Sequence, residues 1–465
     1  MMKKHTRVLA LGLTCTALLS LATPAMAARQ NTSTTPISAS GTTSVTIPSD
    51  GTLAFSQIGE RVKANNLNLK SAEENLKQAQ AMDWKDQIDE IEDAIDEIDF
   101  SISSLGSLTK DQLDASYKEL SDSLAKIDET GGTFANLIDV IPDIVKITNL
   151  TSSINSVQSQ ISSLKSTKED LEDSLDDIKE AQEDYKKTLA DTERQIDYMA
   201  DQTISGAENL YITILSTQLQ LDGLKNNTLP STQRSLKEVE LRYQLGQVSK
   251  LTLTQMQNGY EGLESSIVSL ENSISTLYSS LQSIMGDVPT GKLTLLDTPS
   301  VTSNELSCIN YASDLAKAKE KSYTLYASSR SVEDAEDAMN DARRDEGKNS
   351  YQYKMKEHAY QSALYQNDST IASFELSFLN LYKSIAPAQT ALAAKQSALA
   401  YEQQMYAVAE KKYQLGNLSA NALQDAKDTL DSAQRDVEAA QLDLFTAYHS
   451  YDQAVKLGLV SSSNG

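Results

Sequence analysis

The sequence predicts an all-α protein built of long antiparallel helical hairpins, arranged as two repeats. Three observations carry that expectation. The phrase Arg242-Tyr243-Gln244-Leu245-Gly246-Gln247-Val248-Ser249 returns as Lys412-Tyr413-Gln414-Leu415-Gly416-Asn417-Leu418-Ser419, with its glycines 170 positions apart (416 − 246). Around both copies apolar residues recur at steps of three and four, the period of one helix face. Ala, Leu, Ser, Gln, Lys, Asp and Glu dominate, whereas the 465 residues include only 18 glycines, 8 prolines and 6 phenylalanines. Such a composition suits narrow apolar seams rather than a thick globular core.

The repeat runs past the shared phrase. Glu240 matches Glu410 and Leu253 matches Leu423, and Met256, Leu263 and Ile267 stand opposite Ala426, Ala433 and Val437. Two hairpins, each turning at a Tyr-x-Leu-Gly-x-x-Ser tip, are the simplest source of this pattern. Chemistry at each tip position fits a turn. Gly246 and Gly416 can take the positive φ that ends a helix, and Ser249 and Ser419 can cap the next one. Tyr243 and Tyr413 offer rigid amphipathic surface for docking.

In chain order, residues 1–27 read as a secretory signal peptide. Lys3, Lys4 and Arg7 precede an apolar run from Val8 to Leu21 and the small-x-small site Ala25-Met26-Ala27. Its removal would take the formal charge from −24 to −27 and leave Cys308 as the lone cysteine, so no intrachain disulfide is expected. Residues 28–50 form a Ser/Thr-rich leader. The first hairpin repeat is expected over residues 51–290, interrupted by a coiled-coil insertion at 84–200, and the second over 291–460. Within the insertion Ile88, Ile91, Ile95, Ile98 and Ile102 make one apolar stripe, with aspartates and glutamates crowding the other faces. Gly106, Gly131-Gly132 and Pro142 are expected to cut the next stretch into shorter helices or a poorly packed connection. A heptad seam then runs from Ile154 through Val157, Ile161, Leu164, Leu171, Leu175 and Ile178 to Met199. An unbroken helix from Thr151 to Leu245 would be about 140 Å long, with a kink expected at Pro230. The return helix should stop at Gly286, followed by an extended bridge from Gly291 to Ser303. A turn near Glu346-Gly347-Lys348-Asn349, an interruption at Pro387 and a stop near Gly458 complete the second repeat.

Several functions are disfavoured by the same residues. No segment after the signal has roughly 18 uninterrupted apolar residues, the length a spanning helix needs. The acidic balance argues against nucleic acid or an anionic membrane surface as direct partner. His358 and His449 stand alone, Cys308 has no helper and no phosphate-cradling glycine loop occurs, so neither an enzyme nor a cofactor or metal is expected. The carboxylates of residues 83–99 lack the glycine and loop spacing of a calcium hand and read as a solvated helix face.

With the doubled tip, the Ala/Leu-rich return helices and the bridge between repeats in view, the chain resembles the TolC-type outer membrane efflux protein family over roughly residues 51–83 and 200–458. The resemblance implies two repeats forming part of a hollow α-helical barrel, completed as a homotrimer. It implies an adaptor-facing end at Arg242, Tyr243, Gly246, Val248, Ser249, Lys412, Tyr413, Gly416, Leu418 and Ser419. Its partners would be a periplasmic-adaptor-type (membrane fusion) protein and an ABC-type or other inner-membrane pump, with the duct itself passive. Asp425 matches one acidic position of the family's pore constriction, but Ala422 fills the other, and Leu418 replaces a basic latch residue.

One departure is larger. Family members carry a pair of membrane-crossing β-strands in each repeat, of about 9–11 residues with alternating apolar character. Here the corresponding places hold the 84–200 insertion and the polar stretch from Asp341 to Lys356, so no β-barrel is expected. By resemblance the location is the outer membrane; the missing strands favour the outer face of a single-membrane cell. The alternative is a structural coiled-coil envelope protein that tethers or scaffolds without a pore.

Overall fold

The computed structural model describes residues 51–129 and 134–460. The signal peptide, the Ser/Thr-rich leader and Gly131-Gly132 lie outside the described residues.

The described chain is helical almost throughout. A strand β1 (Thr52–Leu53) and a 3₁₀ turn (Phe55–Gln57) lead into α1 (Ile58–Asn65) and α2 (Leu67–Gln80). The insertion contributes α3 (Lys85–Glu129), paired with the first half of the 90-residue α4 (Phe134–Gly223). A π-helical turn (Leu224–Thr228) joins α4 to α5 (Leu229–Gln244), and α6 (Lys250–Ile284) returns from the first tip. The bridge contains β2 (Thr294–Leu295), which pairs in parallel with β1, Thr52 opposite Thr294. The second repeat holds α7 (Ser303–Ser307), α8 (Tyr311–Lys321), α9 (Tyr323–Glu346), the 64-residue α10 (Tyr351–Gln414) and α11 (Ala420–Leu457). Among the described residues those two-residue strands are the only β-structure, and no helix is long and apolar enough to cross a membrane.

Each repeat has its own core where its helices converge. In the first, Leu53, Ile58 and Val62 pack with Tyr211, Ile214, Leu281 and Met285. In the second, Ala318, Phe374, Phe378, Leu444, Tyr451 and Ala454 form the counterpart. Ile212, Leu442 and Phe445 make a smaller cluster between α4 and α11, with Phe55 against it. The repeats are also built alike at a joint. A break at Asn66 (φ −63°, ψ 119°) separates α1 from α2, and one at Ser322 (φ −69°, ψ 112°) separates α8 from α9. The Asn66 side chain accepts from Asn68 N–H (3.0 Å) and Leu69 N–H (3.1 Å) and donates to the Ile284 carbonyl (2.8 Å).

The helix-breaking residues behave differently from the sequence expectation. α3 runs through Gly106, because Ile102, Leu105 and Thr109 continue the packed face on both sides of an exposed glycine that costs about 1 kcal/mol. Pro142 lies inside α4 and Pro387 inside α10. At Pro387, buried Phe378 and Ile385 before it and half-buried Ala388 and Leu392 after it bind the helix to the second core. Before Pro230 the chain makes a π-helical turn instead of a kink. Leu229 N–H reaches the Leu224 carbonyl, five residues back, which leaves proline as the second residue of α5, where a donor is least missed.

α3 and the first half of α4 pack against each other as a pair of long helices. Ile88, Ile91, Ile95 and Ile98 on α3, and Ile161, Leu164, Leu171 and Leu175 on α4, are the half-buried seam positions. Ion pairs Lys168–Asp99 and Lys179–Glu92 (3.0 Å) cross it. Its base is held by the Tyr185 hydroxyl donating to the Ala79 carbonyl (2.9 Å).

Candidate functional site

Both tips close by the same backbone geometry. At the first, Gly246 N–H donates to the Tyr243 carbonyl (2.9 Å) and Gln247 N–H to the Arg242 carbonyl (2.8 Å), with Gly246 at φ +69°. At the second, Gly416 N–H donates to Tyr413 (2.9 Å) and Asn417 N–H to Lys412 (2.8 Å), with Gly416 at φ +73°. This double bond onto the last turn is the Schellman arrangement, which only glycine completes without strain. Ser249 and Ser419 share φ −76° and ψ 157°, and their hydroxyls accept from Thr252 N–H (3.1 Å) and Ala422 N–H (3.2 Å). The glycines and serines therefore shape the turn.

The other tip residues form its outer surface. Arg242, Tyr243, Lys412 and Tyr413 are exposed, whereas Val248 and Leu418 are half-buried one residue before the cap. There they hold the first position of a hydrophobic staple, with half-buried Leu253 and Leu423 at the second. Two residues that the sequence reading left out of the site, Leu245 and Leu415, are among the most exposed apolar side chains, at 64% and 75%. They sit between the tyrosine and the glycine of each tip. Their repetition in the doubled phrase was the available signal.

The two tips lie at the same end of the molecule. Arg234, twelve residues before Gly246, reaches from α5 to Asp425 (3.2 Å) and Asp428 on α11, nine and twelve residues after Gly416. Gln424 donates to Asp428 Oδ1 (2.9 Å), and Asn227 of the π-helical turn donates to the Asp428 main-chain carbonyl (2.6 Å). Hydrogen bonding to Asp428 pushes the Arg234 ionisation further up, so the guanidinium stays charged. Asp425 is thus no free acid of a constriction within one copy: it is largely exposed but engaged by Arg234. Neither Arg234 nor Asp428 was legible as a site residue, because Gln404 stands at the position matching Arg234 in the second repeat.

Further up, α4 and α11 are joined by a second polar contact. His449 Nε2 lies 3.0 Å from Glu208 Oε2, Gln453 donates to the same oxygen (2.6 Å), and Ser205 donates to Gln453 Oε1 (2.7 Å). The His449 ring stacks on Phe445 and meets Phe55 edge-on. Among the described residues no three His, Cys, Asp or Glu side chains gather at metal-binding distance.

No protein-family model matches the sequence, and comparison with curated proteins finds no match. In fold the chain is similar to solved outer membrane channels. The outer membrane protein VceC of Vibrio cholerae aligns at 16% identity over 58% of this chain and 73% of its own, with a TM-score of 0.40. The outer-membrane channel OprN aligns at 15% identity over 58% and 69%, with a TM-score of 0.41. The open state of the Neisseria gonorrhoeae MtrE outer membrane channel aligns at 12% identity over 60% and 72%, with a TM-score of 0.37.

Proposed function

We propose that this chain is a passive wall subunit of a TolC-like export conduit in the cell envelope. The observation that supports it best is the placing of both Tyr-x-Leu-Gly tips at one end, tied by Arg234 to Asp425 and Asp428. Two hairpins turned the same way give each copy four roughly aligned helices below the joints, α4–α5, α6, α10 and α11. Three copies closing side by side would surround a lumen. Tip residues Arg242, Tyr243, Leu245, Lys412, Tyr413 and Leu415 would meet a periplasmic-adaptor-type protein, and a pump behind that adaptor would supply the energy. Aromatic, arginine and exposed apolar residues on a rigid turn are what a protein partner binds.

In this reading helical hairpins replace the membrane strands in both repeats: α3 with α4 in the first, α9 with α10 in the second. The outer face of a single-membrane cell is the location we infer from that substitution. Electron microscopy of the purified full chain tests the proposal. Hollow tubes with end views of about three-fold symmetry are expected; solid rods would overturn it and leave a tethering coiled-coil protein.

A further inference from the structure

Two charged features that stand at corresponding places on neighbouring helices have no ion-pair partner among the described residues. On α4, Asp173, Asp176, Asp177 and Glu180 stand at helical spacing on one face; all are exposed, and among the described residues none forms an ion pair. The nearby lysines are engaged elsewhere, Lys168 with Asp99 and Glu172, and Lys179 with Glu92. The other feature is the turn between α9 and α10. Arg343, Lys348 and Lys354 are exposed there and likewise form no ion pair among the described residues, so they outnumber the one unpaired acid of the turn, Glu346, while Arg344 is held by Asp341 and Asp345. Tyr351, in the middle of this basic turn, is 80% exposed.

The two features lie at the same height. α9 runs antiparallel to α4: Tyr323 stacks on Tyr198, and further along Tyr326 and Arg330 (3.3 Å) both bind Asp191. Counting sixteen residues along each helix from the Arg330–Asp191 contact, about 24 Å at the rise of an α-helix, reaches Glu346 on α9 and Leu175 on α4. The basic turn is therefore level with the acidic stripe, although no ion pair joins them within the copy.

We propose that the α9–α10 turn of one copy docks on the Asp173–Glu180 stripe of a neighbouring copy. The inference rests on the side-by-side assembly proposed above. Acidic coiled coils brought together would repel, and a basic turn set between them converts that repulsion into attraction over the few ångströms that salt leaves unscreened. Single surface pairs are weak, so the contact acts through several charges presented together.

Isotope-mixed crosslinking tests it. Full chains of natural isotope content and chains labelled with ¹⁵N are mixed, treated with a zero-length carbodiimide and analysed by mass spectrometry. Mixed-isotope links from Lys348 or Lys354 to Asp173, Asp176, Asp177 or Glu180 are expected. Lys348→Glu with Lys354→Glu should abolish them and weaken self-association at low salt by roughly tenfold in sedimentation. Adding Asp173→Lys and Asp177→Lys should restore association. Links confined to one isotope, or association with no such link, would overturn the docking and leave the conduit standing. A chain that stays monomeric at every salt concentration would overturn both. Flotation with phosphatidylglycerol vesicles that depends on Lys348 and Lys354, without mixed-isotope links, would give the turn to an anionic bilayer and also overturn the docking.

Discussion

The two ends of each hairpin use glycine for different reasons. At the tips, Gly246 and Gly416 take positive φ into open space, with nothing within 4 Å of where a Cβ would be. At the joints, Gly286 (φ +75°) and Gly458 (φ +67°) take the same conformation against another backbone. A Cβ on Gly286 would lie 2.2 Å from the Asn65 carbonyl oxygen, and one on Gly458 2.4 Å from Ser322 N and Cα. The tip needs only a conformation, whereas the joint needs conformation and contact, because each return helix ends pressed on a helix break, at Asn66 between α1 and α2 or at Ser322 between α8 and α9. The largest expected effect follows. Gly286→Ala or Gly458→Ala should cost about 3 kcal/mol or more, since strain and a backbone clash add. Gly246→Ala or Gly416→Ala should cost about 1 kcal/mol. Urea titration followed by helical circular dichroism compares the four. Equal losses at tip and joint would break the distinction.

The tips were legible in the sequence because their geometry is local. Glycine, the serine three residues on and the apolar residue before it fix the turn with no help from the rest of the chain. The joint was not. Gly286 and Gly458 read as helix stops, but nothing local says that Asn66 and Ser322, more than a hundred residues away, are what they press on. The pairing of α3 with the first half of α4 follows the apolar steps from Ile88 to Ile102 and from Ile154 to Ile178, whereas Met199, at the end of the same expected seam, packs on the first core instead. The proline and glycine breaks were overread. Gly106 and Pro387 carry a local cost of about 1 to 3 kcal/mol, and packing on both sides outweighs it; α4 also runs through Pro142, although its neighbours Ile141 and Val145 are exposed. Arg234 shows the limit for sites: its meaning lies in two aspartates on another helix, a relation that repeat matching cannot supply.

The cores beneath the joints differ in polarity. Tyr451 on α11 matches Leu281 on α6 in the repeat alignment, and only the tyrosine binds a buried acid. Asp314 Oδ2 accepts from the Tyr451 hydroxyl (2.8 Å) and Asn310 N–H (2.9 Å), and Lys317 lies 3.3 Å from Oδ1. Burial alone would raise the Asp314 carboxyl, but the bonds from Asn310, Tyr451, Lys317 and Ser313 outweigh it and hold it below the usual carboxylate range. A carboxyl depressed by folding stabilises the protein above its unfolded value, near 3.9, and that contribution fades as pH falls through the lower folded value. Asp314→Asn should therefore lower stability by about 1 to 2 kcal/mol at pH 7, and the gap to the unaltered chain should narrow as pH falls below the unfolded value, near 3.9. Thermal unfolding across that range reads it. A gap that stays constant down to pH 2 would show that the acid contributes shape rather than charge.

The descending helices differ in how they absorb proline, and here the expected effect is smallest. Before the first tip, the π-helical turn sets Pro230 near the start of a new α-helical run, where the missing N–H has little to bond. In the second repeat Pro387 sits inside unbroken α10, so a ladder bond is lost outright. Pro387→Ala should restore that bond and raise stability by about 1 kcal/mol, the gain reduced by the freedom that alanine returns to the unfolded chain. Pro230→Ala should be nearly neutral for stability. If the π-helical turn is imposed by proline, it should revert to α-helix in that variant. If Asn227 bound to the Asp428 carbonyl holds the turn open, it should persist, and Asn227→Ala should be the change that closes it. Hydrogen exchange over residues 223–232 in the two variants separates these causes, because an α-helical register would bring the protection of the flanking helix into a stretch that the wider turn leaves weaker.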